Sequence, residues 1–168
     1  MKVLITSDSH GLKDELILLK EQHKDVDYFI HCGDSELSFN DKAISGFHVV
    51  RGNCDFDSNF PNDLIVEAGS DRIFVTHGHL YSVKSTLSKL YYKALENHAN
   101  IVCFGHSHIL GFEMIEGILF INPSSLLMPR SRRERTYIIL ETTEKERLLH
   151  VFEFGGQEIM TESFPINQ

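Results

Sequence analysis

The chain has 168 residues, of which 42% are hydrophobic and 24% charged, with a formal net charge of −8. That length suits one domain with a buried core spanning residues 1–168, and the acidic balance argues against a broad surface for nucleic-acid polymers. No apolar run approaches the ~20 residues that cross a bilayer. The opening "MKVLITSDSHG" turns polar too soon for a secretory signal. The three cysteines, Cys32, Cys54 and Cys103, are too few and too scattered for a disulfide framework or a thiolate zinc cluster. A cytoplasmic protein without membrane contact is expected.

In chain order, "KVLITS" is a short β-branched run that reads as a buried strand. After "DSHG", the stretch "LKDELILLKEQHK" repeats Leu12, Leu16, Leu19 and Gln22 at helical spacing. "DYFIHCGD" and "GFHVVRGNCD" read as strands that stop at glycine turns, and "LIVEAGSDRIFVTHGH" as a hairpin turning at "AGSDR". "VKSTLSKLYYKALENH" is a second helix, and "NIVCFGHSH" a strand with its loop. From there "LGFEMIEGILFINPSS" and "TYIILETTEKERLLHVFEF" each read as strand, turn, strand. Mixed strands and helices followed by hairpins argue for a layered α/β protein with two sheets.

Each early strand stops at a polar group. The first ends in Asp8 and His10, the second in Asp34, the third in Asn53, the hairpin in His77 and His79, and the fifth strand in His106 and His108. Alone, each has a plain explanation: Asp8-Ser9 as a helix cap, Gly33-Asp34 and Gly52-Asn53 as turns. Five successive loops of this kind are unexpected from independent turns. Loops at the carboxyl ends of strands form the functional face of α/β proteins. Carboxylate, carboxamide and imidazole groups suit divalent Mn, Fe, Zn or Ni.

The ordered set Asp8-Ser9-His10, Gly33-Asp34, Gly52-Asn53-Cys54-Asp55, His77-Gly78-His79 and Gly105-His106-Ser107-His108 resembles the calcineurin-like metallophosphoesterases. The short chain and "GNCD" resemble the small single-domain bacterial and archaeal phosphodiesterases, with the retromer subunit of this fold a more distant relative. The resemblance implies a four-layer αββα sandwich of two mixed sheets flanked by helices. It also implies two divalent ions: Asp8, His10 and His108 on one, Asn53, His77 and His106 on the other, and Asp34 bridging. Mn²⁺ is the family's expectation, with Ni²⁺, Zn²⁺ and Fe²⁺ as alternatives. The implied reaction is phosphodiester hydrolysis by a metal-bridging hydroxide. Asn53 would stabilise developing charge on a small phosphodiester substrate, and His79 would orient ligands or substrate.

Two departures stand out. Many family members have histidine after Gly-Asn to protonate the leaving group; this chain has Cys54, a thiol poorly matched to that task, so His79 or water could take it over. The alternative reading of Cys54 is a small buried filler. At "NPSS" (residues 122–125) Ser124 stands where relatives often have glycine, which would alter a tight turn. In "PRSRRER", Arg130 is the candidate for capturing a substrate phosphate, against a solvated-loop reading. His31 lies near enough to Asp34 to support it; His23, His48, His98 and His150 read as surface or packing residues. The rival functions are a catalytically weak binding scaffold, a phosphomonoesterase and a nuclease. Small relatives often pair, so a homodimer is an open expectation.

Overall fold

Alternation of apolar side chains along the strands decides the layering. Along β1 (Lys2–Thr6), Val3 and Ile5 enter one apolar cluster and Leu4 another. A strand has period two, so a strand apolar on both faces must be covered on both. The structure is a computed structural model and describes residues 1–166.

The strands are β1, β2 (Tyr28–His31), β3 (Phe47–Val49), β4 (Asp63–Ala68), β5 (Asp71–Thr76), β6 (Ile101–Cys103), β7 (Leu110–Ile115), β8 (Ile118–Pro123), β9 (Thr136–Thr142), β10 (Glu146–Glu153) and β11 (Glu158–Pro165). They form a six-stranded sheet, order β11-β10-β9-β1-β2-β3, and a five-stranded sheet, order β4-β5-β6-β8-β7. Both are mixed: β1, β2 and β3 run parallel, as do β5, β6 and β8, while hairpins add the antiparallel strands.

Three clusters give the layers. Val3, Ile5, Ile30, Ile73, Val75 and Ile121 belong to the cluster between the sheets. Helix α1 (Asp14–Gln22) puts Leu16 and Leu19 with Leu4, Tyr137 and Ile139 on the outer face of the larger sheet. Helix α2 (Ser88–Glu96) puts Leu90 and Ala94 with Phe74, Val102 and Phe120 on the outer face of the smaller one. This is the expected αββα sandwich. A buried Asp71 on β5 accepts hydrogen bonds from the Arg147 guanidinium on β10, at 3.0 and 2.6 Å, and from the Thr142 hydroxyl on β9, tying the two sheets together.

Three expectations need correction. The second helix begins at Ser88, not near Val83, because Ser82 is left-handed and Ser85 and Thr86 close a separate turn on its carbonyl. The chain also gains β11, a largely exposed edge strand whose polar sequence "EIMTESFP" gives no clean alternation. Cys54 is exposed, not a buried filler; Cys32 and Cys103 are the buried core thiols. Among the described residues no helix is long and apolar enough to cross a membrane.

Candidate metal centre

The loops after β1, β2, β3, β5 and β6 meet along one edge of the sandwich. Backbone bonds lock them: Asp8 N–H to Gly33 O and His10 N–H to Asp34 O, both 3.0 Å, and Gly105 N–H to His77 O at 3.0 Å. The predicted residues converge there. Asp8, His10 and His108 offer ligand atoms all within 4.8 Å of one another, and so do Asp8, Asp34 and His77. Asn53 Oδ1 lies 3.1 Å from His77 Nε2, and the His106 ring centroid lies 5.1 Å from that of His77.

Three imidazoles are aimed from behind. Nδ1 of His77 faces Cys32 O at 2.7 Å, Nδ1 of His108 faces Met128 O at 2.8 Å, and Nδ1 of His10 faces Glu36 Oε1 at 2.6 Å. Each oxygen can only accept, so a ring proton sits on Nδ1, and in its neutral form each ring turns a bare Nε2 inward. Those Nε2 atoms stand 3.9, 3.0 and 4.0 Å from Asp8 Oδ1, which is fully buried and accepts no hydrogen bond. Lone pairs facing an orphaned carboxylate oxygen in a buried site repel unless a cation lies between them. Outward anchoring of Nδ1 is also how ligating histidines are held. The residues therefore fit a divalent metal.

The carboxylates are positioned as firmly. Asp8 Oδ2 accepts from the Ser7 hydroxyl at 2.6 Å and from His106 N–H at 3.1 Å. Asp34 Oδ1 accepts from Cys54 N–H at 2.8 Å. Burial works against the Asp34 charge, but without metal a protonated His77 imidazole and that N–H outweigh it and hold the carboxyl well below its usual range. His106 is pushed down to about 4, by burial first and then by the charges of His77 and Lys84.

The motif glycines permit this crowding. A Cβ at Gly33 would stand 2.8 Å from His77 Nδ1. One at Gly52 would overlap Asp34 Oδ1, and one at Gly105 would overlap Ser7 Oγ and stand 2.6 Å from Asp8 Oδ2. The ligand backbones are strained as well: Asp8, His10, Asp34, His106 and His108 all have positive φ, from 42° to 67°. Non-glycine residues adopt this region only when their surroundings impose it, and they cluster at functional sites.

The other predicted residues sit around the centre. His79 is half-buried with its ring 5.3 Å from that of His77; its Nδ1 is buried without a partner, and burial lowers its pKa. Cys54 Sγ is 3.4 Å from Asn53 Nδ2, and burial, then the Asp34 charge, push the thiol up to about 11. Ser124 takes the glycine-like φ of 72° and donates its hydroxyl to His108 O at 2.8 Å, so the departure from glycine keeps the turn and adds a bond behind a ligand. Arg130 is exposed, with its N–H on His108 O at 2.8 Å. Of the neighbouring arginines, Arg132 pairs with Glu134, and Arg135 pairs with Glu15 and lies over the Phe154 ring.

Sequence reasoning gave no role to the residue that binds two loops together. Asp55 accepts from the N–H groups of Asp34, Glu36 and Gly52 at 2.7 to 2.8 Å and from the Ser35 hydroxyl at 3.2 Å. Its signal was its place at the end of "GNCD". His31 accepts from Gly33 N–H at Nδ1, so its Nε2–H donates to Ser9 Oγ at 2.8 Å and links the first two loops. Ser125 donates to Asp8 O at 2.7 Å. Arg51 joins Asn53, Asp55 and His79 around a polar recess of about 300 Å³.

Residues 1–145 match the family model of the calcineurin-like phosphoesterase superfamily domain. A Bacillus subtilis protein named as a probable metallophosphoesterase, YsnB, is 48% identical over 160 residues, covering 95% of each chain. A phosphodiesterase of Methanocaldococcus jannaschii is 29% identical over 147 residues, covering 73% of this chain and 82% of its own. The crystal structure of a predicted phosphoesterase from Streptococcus pneumoniae superposes with a TM-score of 0.94 at 32% identity, over 98% of this chain and 97% of that one.

Proposed function

The chain belongs to the calcineurin-like phosphoesterase superfamily, and from that premise we propose that it is a dimetal phosphodiesterase acting on small phosphodiesters. Asp8, His10 and His108 would hold one ion, Asn53, His77 and His106 the other, and Asp34 would bridge them. One observation carries this: three imidazoles anchored at Nδ1 turn their Nε2 atoms toward a buried Asp8 oxygen that has no hydrogen-bond partner. An N/O donor set of this kind suits Mn²⁺ first, with Ni²⁺, Zn²⁺ and Fe²⁺ as alternatives. When bound, two such ions supply a water that ionises near neutral pH and charge to offset that of the phosphoryl group.

The chain supplies the rest. Asp8 and Asp34 contribute two negative charges and the other proposed ligands none, so the loaded site stays cationic toward a phosphate. Asn53, exposed at the mouth, presents its carboxamide to the phosphoryl group. Arg51 in the polar recess and Arg130 beside His108 flank the centre with guanidinium groups suited to phosphate oxygens. Neither Cys54, a weak acid near 11, nor His79, whose burial disfavours the imidazolium, is a strong proton donor. The reading therefore favours substrates with good leaving groups.

The test is metal content of the purified protein, then turnover of bis(4-nitrophenyl) phosphate against 4-nitrophenyl phosphate after chelation and after reconstitution with each ion. Diester turnover should vanish on chelation and return with metal, and Asp34→Asn should abolish it. Full turnover by Asp34→Asn, or by the chelated protein, would refute the assignment.

A further inference from the structure

Beside the metal centre, on the outer face of the smaller sheet, lies an open pocket of about 540 Å³, of whose lining only Arg130 enters the reaction described above. Its volume is that of a small-molecule site. Its apolar wall comprises Val83 and Leu87 from the segment before α2, Phe104 just after β6 and Phe120 on β8, with Glu113 on β7 as the one acidic lining residue. Its inner end is shared with the candidate ligands, because Ser107 and Ile109, which flank His108 in the chain, both line it. Asn122 fixes that junction by donating to Gly105 O and Ser107 Oγ, both at 3.0 Å. Lys84 and Arg130 also line the pocket, and Arg130 is tied to the ligand loop by its N–H on His108 O at 2.8 Å.

We propose that this pocket receives the organic substituent of the phosphoester substrate, and that the substituent is a flat aromatic group, while the phosphoryl group lies at the metal centre between Lys84 and Arg130. The inference rests on the phosphoesterase reading and names the substrate class for that site. Phenylalanine and aliphatic walls offer no hydrogen bonds, so they gain from a group that brings apolar area and little need of solvation. The two cations line the same cavity, Arg130 on the loop bonded to His108, and would meet an anionic phosphate attached to that group. A simple phenol and a nucleoside share the required ring chemistry.

Gly111 supplies the test. It lines the pocket, and a Cβ there would meet nothing within 4 Å and require no change of backbone conformation. Gly111→Leu therefore narrows the cavity without disturbing the core. Ile109→Asp, at an exposed position, makes the wall hostile to a ring with no demand on packing. Mn²⁺-loaded wild type and both variants are titrated by calorimetry with methyl phosphate, phenyl phosphate and adenosine 5′-monophosphate. One or both aromatic ligands should bind wild type at least tenfold more tightly than methyl phosphate, and each variant should reduce that ratio to within about threefold. Preference for phenyl phosphate alone identifies a simple aryl ester, and for the nucleotide alone a nucleoside. Equal affinity of all three for wild type, or a preference that survives both substitutions, overturns the proposal. Failure of wild type to hydrolyse bis(4-nitrophenyl) phosphate with any metal would instead sink the phosphodiesterase reading, which the binding titration does not measure.

Discussion

Gly105→Ala puts the close packing of the site to a direct test. The added Cβ would overlap Ser7 Oγ, stand 3.1 Å from Ser7 Cβ and lie 2.6 Å from Asp8 Oδ2, where ordinary contact begins at 3.4 Å. The carboxylate would have to retreat by about 0.8 Å, the difference between 3.4 and 2.6 Å. It has little room, because Ser7 Oγ and His106 N–H hold the same oxygen. Gly105 has no positive φ, so the substitution adds crowding without backbone strain. Disturbing the partners that orient a ligand typically lowers metal affinity by about 10–100-fold, and a displacement near 1 Å can cost about 10²-fold in rate.

The assay is calorimetric titration of the chelated protein with Mn²⁺, alongside kcat/KM for bis(4-nitrophenyl) phosphate. Gly155→Ala serves as control, since a Cβ there meets nothing within 4 Å and Gly155 is remote in sequence from every candidate ligand. Gly105→Ala should weaken Mn²⁺ binding at least tenfold and reduce turnover by about two orders of magnitude; Gly155→Ala should do neither. If Gly105→Ala bound Mn²⁺ and turned over within about twofold of wild type, Asp8 would not be the ligand that Gly105 makes room for, and the steric argument for the motif would fail.

Mn²⁺ at about 100 times its dissociation constant should stabilise the fold by about 2.7 kcal/mol, raising Tm by roughly 5–11 °C for a domain of this size; a melting curve indifferent to Mn²⁺ and to chelator would contradict a metal centre. Removing one partner of the buried Asp71–Arg147 pair, as in Asp71→Ala, should cost about 3–5 kcal/mol in urea unfolding, and Asp71→Leu combined with Arg147→Met should recover most of that. A loss under about 1 kcal/mol would mean the pair does not clamp the sheets. His31 is fully buried and lowered to about 4, by burial first. Its folded pKa lies below the unfolded value near 6.5, so its contribution is complete above that value and disappears as pH falls through the folded one. The loss is at most about 3 kcal/mol over that interval. Chemical denaturation of metal-free wild type and His31→Gln between pH 7 and 4 should show that component in wild type alone, and parallel curves would exclude it.

Strand positions and the convergence of the motif residues were legible because they rest on local patterns. Val3, Ile5 and their flanking polar motif state a strand and its end within a dozen residues, and five repetitions of that sentence disclosed one edge. The elements misjudged lack such a pattern. β11 pairs mainly through its backbone and presents Thr161, Glu162 and Ser163 outward, so periodicity had nothing to report. The start of α2 was set by a left-handed Ser82, which composition does not announce. Asp55 escaped notice for a different reason: its work is to accept backbone N–H groups from a loop some twenty residues earlier in the chain, and only tertiary structure brings those donors to it.

That hidden layer determines whether the visible one can function. Five candidate ligands sit in left-handed backbone at roughly 1–3 kcal/mol each, a sum comparable with the whole stability of an ordinary domain. Metal binding could offset part of it, but a chain that relied on the ion alone would leave these loops unformed before loading. The bonds from Asp55, His31, Ser124 and Ser125 run to backbone or side chains in the loops after β1, β2, β3 and β6, and none of them uses a metal-facing side-chain atom of a candidate ligand. They can therefore hold the strained conformations in the absence of metal. The histidines bear the same mark: His77 and His108 are oriented by main-chain carbonyls, which are fixed by sheet and turn geometry. A centre built in this way is organised before its ion arrives, so little of the binding energy is spent on ordering the protein.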